Sequence, residues 1–135
     1  MTNYWRANEL FGYQNWKEHP LGGGMVGENA TVNIKCYVGP NAIVADYAKV
    51  TGDVILLNNA IVYERARVSG NAWVSGNVRV SGHAWVYGDA WVFGNARVSG
   101  HALVYGHAKV SGSAWVSGYT VVAGNSQVFE GEKNT

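Results

Sequence analysis

The sequence predicts an all-β protein: a parallel β-helix, shaped as a triangular prism of about six 18-residue coils, with a short N-terminal extension. Two observations lead to this prediction. A glycine recurs at every sixth position from Gly70 to Gly124, and a valine stands two positions before each of these glycines. In the same register, aliphatic residues continue from Val26 to Val128 without insertion or deletion. A repeat of fixed period indicates a solenoid.

The repeating unit reads Ala-x-Val-x-Gly-Asn, with His or Asp often in the last place, as in residues 96–101. Alternating apolar residues are typical of a strand with one buried face. Gly followed by Asn, His or Asp favours a tight corner, because these residues tolerate a positive φ angle. Four strand residues and a two-residue corner make one side of a coil, and three sides close a triangle of 18 residues.

Recurrence at a spacing of 18 residues supports this triangle, because residues stacked on successive coils are then of the same type. An asparagine occurs once per coil on one corner, at Asn41, Asn59, Asn77 and Asn95. His83 and His101 are also 18 residues apart. The sequence therefore predicts that side n of the helix stacks on side n+3.

Three hexads carry a resemblance to a known superfamily: residues 92–97 (VFGNAR), 68–73 (VSGNAW) and 38–43 (VGPNAI). They resemble the hexapeptide repeat of left-handed parallel β-helix proteins, which include bacterial acyltransferases and the γ-class carbonic anhydrases. The run GNARV at 94–98 is most similar to YdcK-like proteins, which occur in enterobacteria and prophages and carry a transferase label. The resemblance extends from Val26 to Phe129. It implies left-handed coils, a phage or prophage origin and trimers formed through the prism faces.

The chain divides into three parts. Residues 1–24 form an extension that packs back onto a face or caps the lower coil, with a short helix expected between Trp5 and Glu18, before Pro20. Residues 25–131 form the β-helix. Residues 132–135 form a polar tail, which helps to protect the upper end from edge-to-edge strand addition.

With Ala and Val pointing inward, the remaining strand residues line three outer faces. The first face includes Lys49, Arg67, Trp85, Tyr87, Leu103 and Tyr105; the second includes Ile55, Leu57, Trp73, Trp91, Phe93 and Lys109; the third includes Ile43, Ile61, Tyr63, Arg79, Arg97 and Trp115. The predicted binding surface consists of Ile55, Leu57, Trp73, Trp91 and Phe93 on the second face, Trp85, Tyr87 and Tyr105 on the first, and Arg79, Arg97 and Trp115 on the third.

The second face is the most apolar, and a patch of this kind exceeds what a monomer usually exposes. We therefore expect a homo-oligomer, with a homotrimer favoured and a second protein as a further partner. The alternative is a monomer whose broad aromatic side chains simply shield the sheet.

Two histidines are the weak catalytic candidates. His83 and His101 occupy the same corner on successive coils, and Arg79 and Arg97 precede each of them by four residues. One interpretation is a two-histidine metal site or a general base beside an anion-binding arginine pair. The other, which we favour, is that His fills a corner position that Asn or Asp takes elsewhere. No metal and no cofactor are therefore expected.

Composition narrows the function further. The 135 residues carry a net charge of +1, which argues against nucleic-acid binding driven by phosphate neutralisation. The single cysteine, Cys36, excludes a disulfide scaffold and lies at an inward position, where it is expected to be part of the core. No apolar run is long enough for a membrane helix, and the polar start is unlike a signal peptide, so a soluble cytoplasmic protein is expected.

Function is predicted from the uninterrupted repeat. Acyltransferases that the chain resembles carry their catalytic His and donor-binding groups on a loop between hexads, and the hexads here leave no room for one. The first hypothesis is a non-catalytic structural or binding module. The alternative is a hexapeptide-family acyltransferase that uses acetyl-CoA or a similar donor in a site between subunits.

Overall fold

A computed structural model describes residues 4–133, so residues 1–3 of the predicted extension and 134–135 of the predicted tail lie outside it. Within that range the chain forms one α-helix and twenty two-residue strands. These are α1 (Tyr4–Phe11), β1 (Lys17–Glu18), β2 (Met25–Val26), β3 (Thr31–Val32), β4 (Tyr37–Val38), β5 (Ile43–Val44), β6 (Lys49–Val50), β7 (Ile55–Leu56), β8 (Ile61–Val62), β9 (Arg67–Val68), β10 (Trp73–Val74), β11 (Arg79–Val80), β12 (Trp85–Val86), β13 (Trp91–Val92), β14 (Arg97–Val98), β15 (Leu103–Val104), β16 (Lys109–Val110), β17 (Trp115–Val116), β18 (Val121–Val122), β19 (Gln127–Val128) and β20 (Glu132–Lys133).

The strands form three sheets, one for each predicted face. The first face is β3-β6-β9-β12-β15-β18, the second is β4-β7-β10-β13-β16-β19, and the third is β1-β2-β5-β8-β11-β14-β17-β20. From β2 to β19 the strands of each sheet are parallel and stack at a spacing of 18 residues, as in the pairs Trp73–Trp91 and Arg79–Arg97. The predicted parallel β-helix of about six coils, with a triangular cross-section, is confirmed.

The core is a column of Val and Ala side chains inside the prism. Val74, Val92 and Ala90 have no exposed surface, and Cys36 lies in the same cluster, as its inward position predicts. Burying one valine contributes about 1.5–3 kcal/mol relative to leaving it exposed. The Cys36 thiol donates to the carbonyl of Gly52 at 3.3 Å, and burial raises its pKa.

From position 46 to position 124, each corner contains a residue with a positive φ angle, and glycine is that residue at most of these corners. Asp46, Asn58 and Glu64 adopt the same conformation with a side chain present, at φ of 57°, 59° and 60°. Each side chain accepts a hydrogen bond from a backbone N–H one coil later. The Glu64 N–H donates to Asp46 Oδ2 (3.0 Å), the Gly76 N–H to Asn58 Oδ1 (3.1 Å) and the Gly82 N–H to Glu64 Oε1 (2.9 Å). These bonds offset part of the strain of a non-glycine corner.

The N-terminal helix lies against the third face. Ala7 and Trp16 are buried with the outward side chains of Ile43 and Ile61, and Phe11 packs on this cluster. These third-face isoleucines are therefore outside the prism but not exposed. The helix is shorter than the segment Trp5–Glu18 in which it was expected, because the chain turns at Gly12, where φ is +84°.

Residues 17–24 close the lower end of the prism. β1 pairs antiparallel with β2, and the chain then crosses to the second face, where Gly24 N donates to the carbonyl of Val38 at 2.9 Å. His19 is buried there, and its Nε2 lies 2.7 Å from the carbonyl oxygen of Cys36. A carbonyl only accepts, so Nε2 carries the proton, and His19 is a structural residue of this closure.

At the upper end of the prism, the spacing between stacked strands is one residue shorter than in the rest of the repeat. β20 pairs with β17, and Trp115 lies opposite Glu132, a spacing of 17 instead of 18 residues. The last corner, which contains Phe129, Glu130 and Gly131, is therefore one residue short. Consequently Glu132 and Lys133, which were assigned to the polar tail, form the final strand of the third face.

Candidate functional site

The predicted surface residues form separate clusters on the three faces. On the second face, Leu57, Trp73, Trp91 and Phe93 surround a shallow depression of about 250 Å³. The Trp73 and Trp91 ring centroids are 5.4 Å apart, and Phe93 meets the Trp91 ring edge-on at 6.5 Å. These three aromatic side chains remain 37–43 % exposed, and the fifth predicted member, Ile55, pairs with Trp73 on the adjacent strand.

On the first face, Tyr87 contacts one aromatic residue of its own coil and one of the next coil. Tyr87 packs against Trp85 at 4.6 Å between ring centroids and lies nearly parallel to Tyr105 at 4.8 Å. Burial and, secondarily, the neighbouring Tyr105 raise the pKa of Tyr87. The indole N–H of Trp85 donates to Ser69 Oγ at 3.1 Å, which fixes the ring orientation.

On the third face, Trp115 repeats this local geometry. Its indole N–H donates to Ser99 Oγ at 3.2 Å, and the Arg97 guanidinium lies 6.0 Å from its ring centroid. Arg79 lies directly below Arg97 on the adjacent strand, and its charge is close enough to Arg6 of α1 to influence the pKa of Arg6. Burial, and then the charge of Arg79, lower the pKa of Arg6.

The two histidines lie together, as their spacing predicts, but as a stack. The rings of His83 and His101 are parallel within 3°, with centroids 5.0 Å apart, and Tyr119 continues the stack at 4.9 Å from His101. The lone pairs of an imidazole lie in the ring plane, so two parallel rings direct them along lines that do not meet. A shared metal ion therefore requires the rings to rotate, and the geometry favours the corner-filling interpretation.

Below His83, the same corner column contains Arg65 and Tyr47. These residues line a basic depression that extends from the corner onto the first face. It has a volume of about 400 Å³, and it is lined by Tyr47, Lys49, Arg65, Arg67, His83, Trp85 and Leu103. The Arg65 guanidinium lies 4.9 Å from the Tyr47 ring centroid, and that of Arg67 lies 5.8 Å from Trp85. We refer to this set of residues as the basic depression.

Sequence reasoning missed the basic depression because its cations come from two different structural classes. Lys49 and Arg67 are outward strand residues 18 apart, whereas Arg65 and His83 are corner residues 18 apart. When the strand column and the corner column are considered separately, nothing indicates that their cations meet at the edge of the first face. The 18-residue spacing applied to the column of Tyr47, Arg65 and His83 would have found three of the seven lining residues.

Comparisons with known proteins support the fold. The family model described as "YdcK Beta solenoid repeat" matches residues 66–82 and 72–88. No curated protein and no solved structure matches the chain. Within residues 4–133 there is no helix with the length and hydropathy that crossing a bilayer requires. The repeat match and the three stacked parallel sheets together identify the chain as a β-helix repeat protein.

Proposed function

We propose that the protein is a non-catalytic structural or binding module that oligomerises through its second face and contacts a further protein through its remaining aromatic surface. The observation that supports this most strongly is the second-face cluster, defined as Ile55, Leu57, Trp73, Trp91 and Phe93. These side chains are contiguous over three coils, and the three aromatic ones are more than a third exposed. Aromatic residues are enriched at the centre of protein interfaces.

The rigid scaffold supports the same proposal. Stacked coils hold the five side chains on, or directly after, successive strands of one sheet, so little conformational entropy is lost when a partner covers them. The N-terminal helix covers the isoleucines of the third face and leaves the second-face cluster open. A trimer is the favoured assembly, and this preference, like a prophage origin, rests on the sequence resemblance.

The test replaces the central tryptophan by a charge. We expect wild-type protein to sediment as a trimer, and Trp91→Glu to sediment as a monomer because its carboxylate would have to be desolvated in the interface. Val121→Glu is the matched control, since Val121 is an outward strand residue of the first face and is 53 % exposed. Circular dichroism and thermal unfolding of all three proteins establish that each is folded.

Two results would contradict the proposal. A wild-type monomer at high concentration would remove the oligomer and leave the second face as a shielding layer. Stabilisation of the fold by acetyl-CoA in a thermal-shift assay, abolished by His101→Ala, would instead support the acyltransferase alternative.

A further inference from the structure

We infer that the basic depression is a binding site for a small phosphorylated compound, in which the phosphate is held by Lys49, Arg65 and Arg67 and an attached ring lies beside Trp85. The first reason is uncompensated charge. None of these three cations forms an ion pair with a carboxylate of residues 4–133. They line one depression of about 400 Å³, a volume within the range of small-molecule sites.

The identities of the cations favour phosphate. The guanidinium group of arginine presents several N–H donors in a rigid fork that matches phosphate oxygens, and lysine adds a compact charge. The aromatic neighbours restrict both arginines, because Arg65 lies over Tyr47 and Arg67 over Trp85. Preorganised donors lose less entropy when an anion binds.

The extent of the charge favours a small ligand over a long polymer. Lys49 and Arg67 lie on adjacent strands of the first face, but the equivalent position one coil below Lys49 is Thr31. Above Arg67 the column continues with Trp85 and Leu103. Because strands stack about 4.8 Å apart, the basic strip is about two strands tall, enough for one phosphate group.

Carboxylates limit the site on its other side. Asp46 and Glu64 line a neighbouring depression around the corner, together with Arg65 and His83. Both carboxylates accept backbone N–H bonds from the next coil, so they are part of the corner structure. They make that side unfavourable for an anion, and we therefore place the phosphate on the first-face side, toward Lys49 and Arg67.

The test is calorimetric titration with two phosphorylated compounds and their uncharged parents. We expect AMP or glucose 6-phosphate to bind with a Kd of about 1 mM or tighter, and adenosine and glucose to give no binding. Binding is expected to weaken as salt is added, because the contacts are charged and exposed. The stronger of the two phosphate compounds identifies whether a flat base or a sugar ring lies beside Trp85.

Variants locate the site. Arg67→Gln is expected to reduce affinity about tenfold, as the loss of one charge-assisted hydrogen bond predicts, and Arg67→Lys to restore part of it. Lys109→Gln is the matched control, since Lys109 also lies over a tryptophan, 5.2 Å from the ring centroid of Trp91, but on the second face in a depression that contains Asp89. Lys109→Gln is expected to leave affinity unchanged.

A second readout uses the tryptophan indoles. The indole N–H resonance of Trp85, assigned by its absence in Trp85→Phe, should shift on titration with the phosphate compound, and that of Trp91 should not. The inference is overturned if neither compound binds, if the uncharged parents bind as well, or if Arg67→Gln and Lys109→Gln have equal effects. It is also overturned if the Trp91 resonance shifts and the Trp85 resonance does not.

Discussion

The glycine corners provide a quantitative test of how the coils stack. Gly88 has φ of +69°, and a Cβ built there would lie 2.9 Å from the nitrogen of Gly106 on the next coil. Gly124 has nearly the same φ, +64°, but a Cβ there meets nothing within 4 Å. The two positions therefore separate the cost of the backbone conformation from the cost of contact between coils.

Alanine in the left-handed region costs about 1–2 kcal/mol, so we expect Gly124→Ala to lower the free energy of unfolding by that amount. Gly88→Ala should cost about 2–5 kcal/mol, because overpacking against the backbone adds about 1–3 kcal/mol. Gly88→Asn should lower the free energy of unfolding by less than Gly88→Ala. At the equivalent position of another corner, Asn58 Oδ1 accepts the Gly76 N–H at 3.1 Å, and an asparagine at position 88 can reach Gly106 in the same way.

The assay is urea denaturation of the three variants and the wild type at one protein concentration, followed by circular dichroism and by tryptophan fluorescence. Equal losses for Gly88→Ala and Gly124→Ala would refute the argument that close contact between corners limits side-chain size. If Gly88→Asn were as destabilising as Gly88→Ala, the hydrogen bonds of the non-glycine corners would not have the compensating role assigned to them.

Two further predictions concern the core. Ala90 is fully buried, so Ala90→Glu would place an unpaired carboxylate among Val and Ala side chains and should prevent cooperative folding. An unchanged midpoint of thermal unfolding would contradict the assignment of Ala90 to the inside of the prism. The Cys36 thiol is buried and its pKa is raised, so it should react with a thiol reagent at the rate of unfolding, and rapid labelling of the native protein would show that the site is open. Because the folded-state pKa of Cys36 lies above the unfolded value, its contribution to stability is complete below the unfolded pKa and declines as pH rises through the folded one.

Much of the fold could be predicted because each coil contacts chiefly its neighbours. The 18-residue recurrence of asparagine places Asn59, Asn77 and Asn95 in one column, and in the structure their side chains form a ladder of hydrogen bonds, each 3.1 Å long. The same rule places Trp73 beside Trp91 and His83 beside His101. The stacking angle of the histidine rings was not predictable, because it depends on side-chain rotamers and not on spacing.

The sequence by itself determined the repeat, the three faces and which side chains point inward, because a fixed six-residue period leaves the chain one way to bury its Val and Ala residues. Only the tertiary structure decided where the non-periodic parts lie. It placed α1 over Ile43 and Ile61, shortened the last corner before Glu132, and joined Arg65 to Arg67 in one depression. These features depend on contacts between segments of different period or between corner and strand, and such contacts follow from packing in three dimensions and not from the repeat.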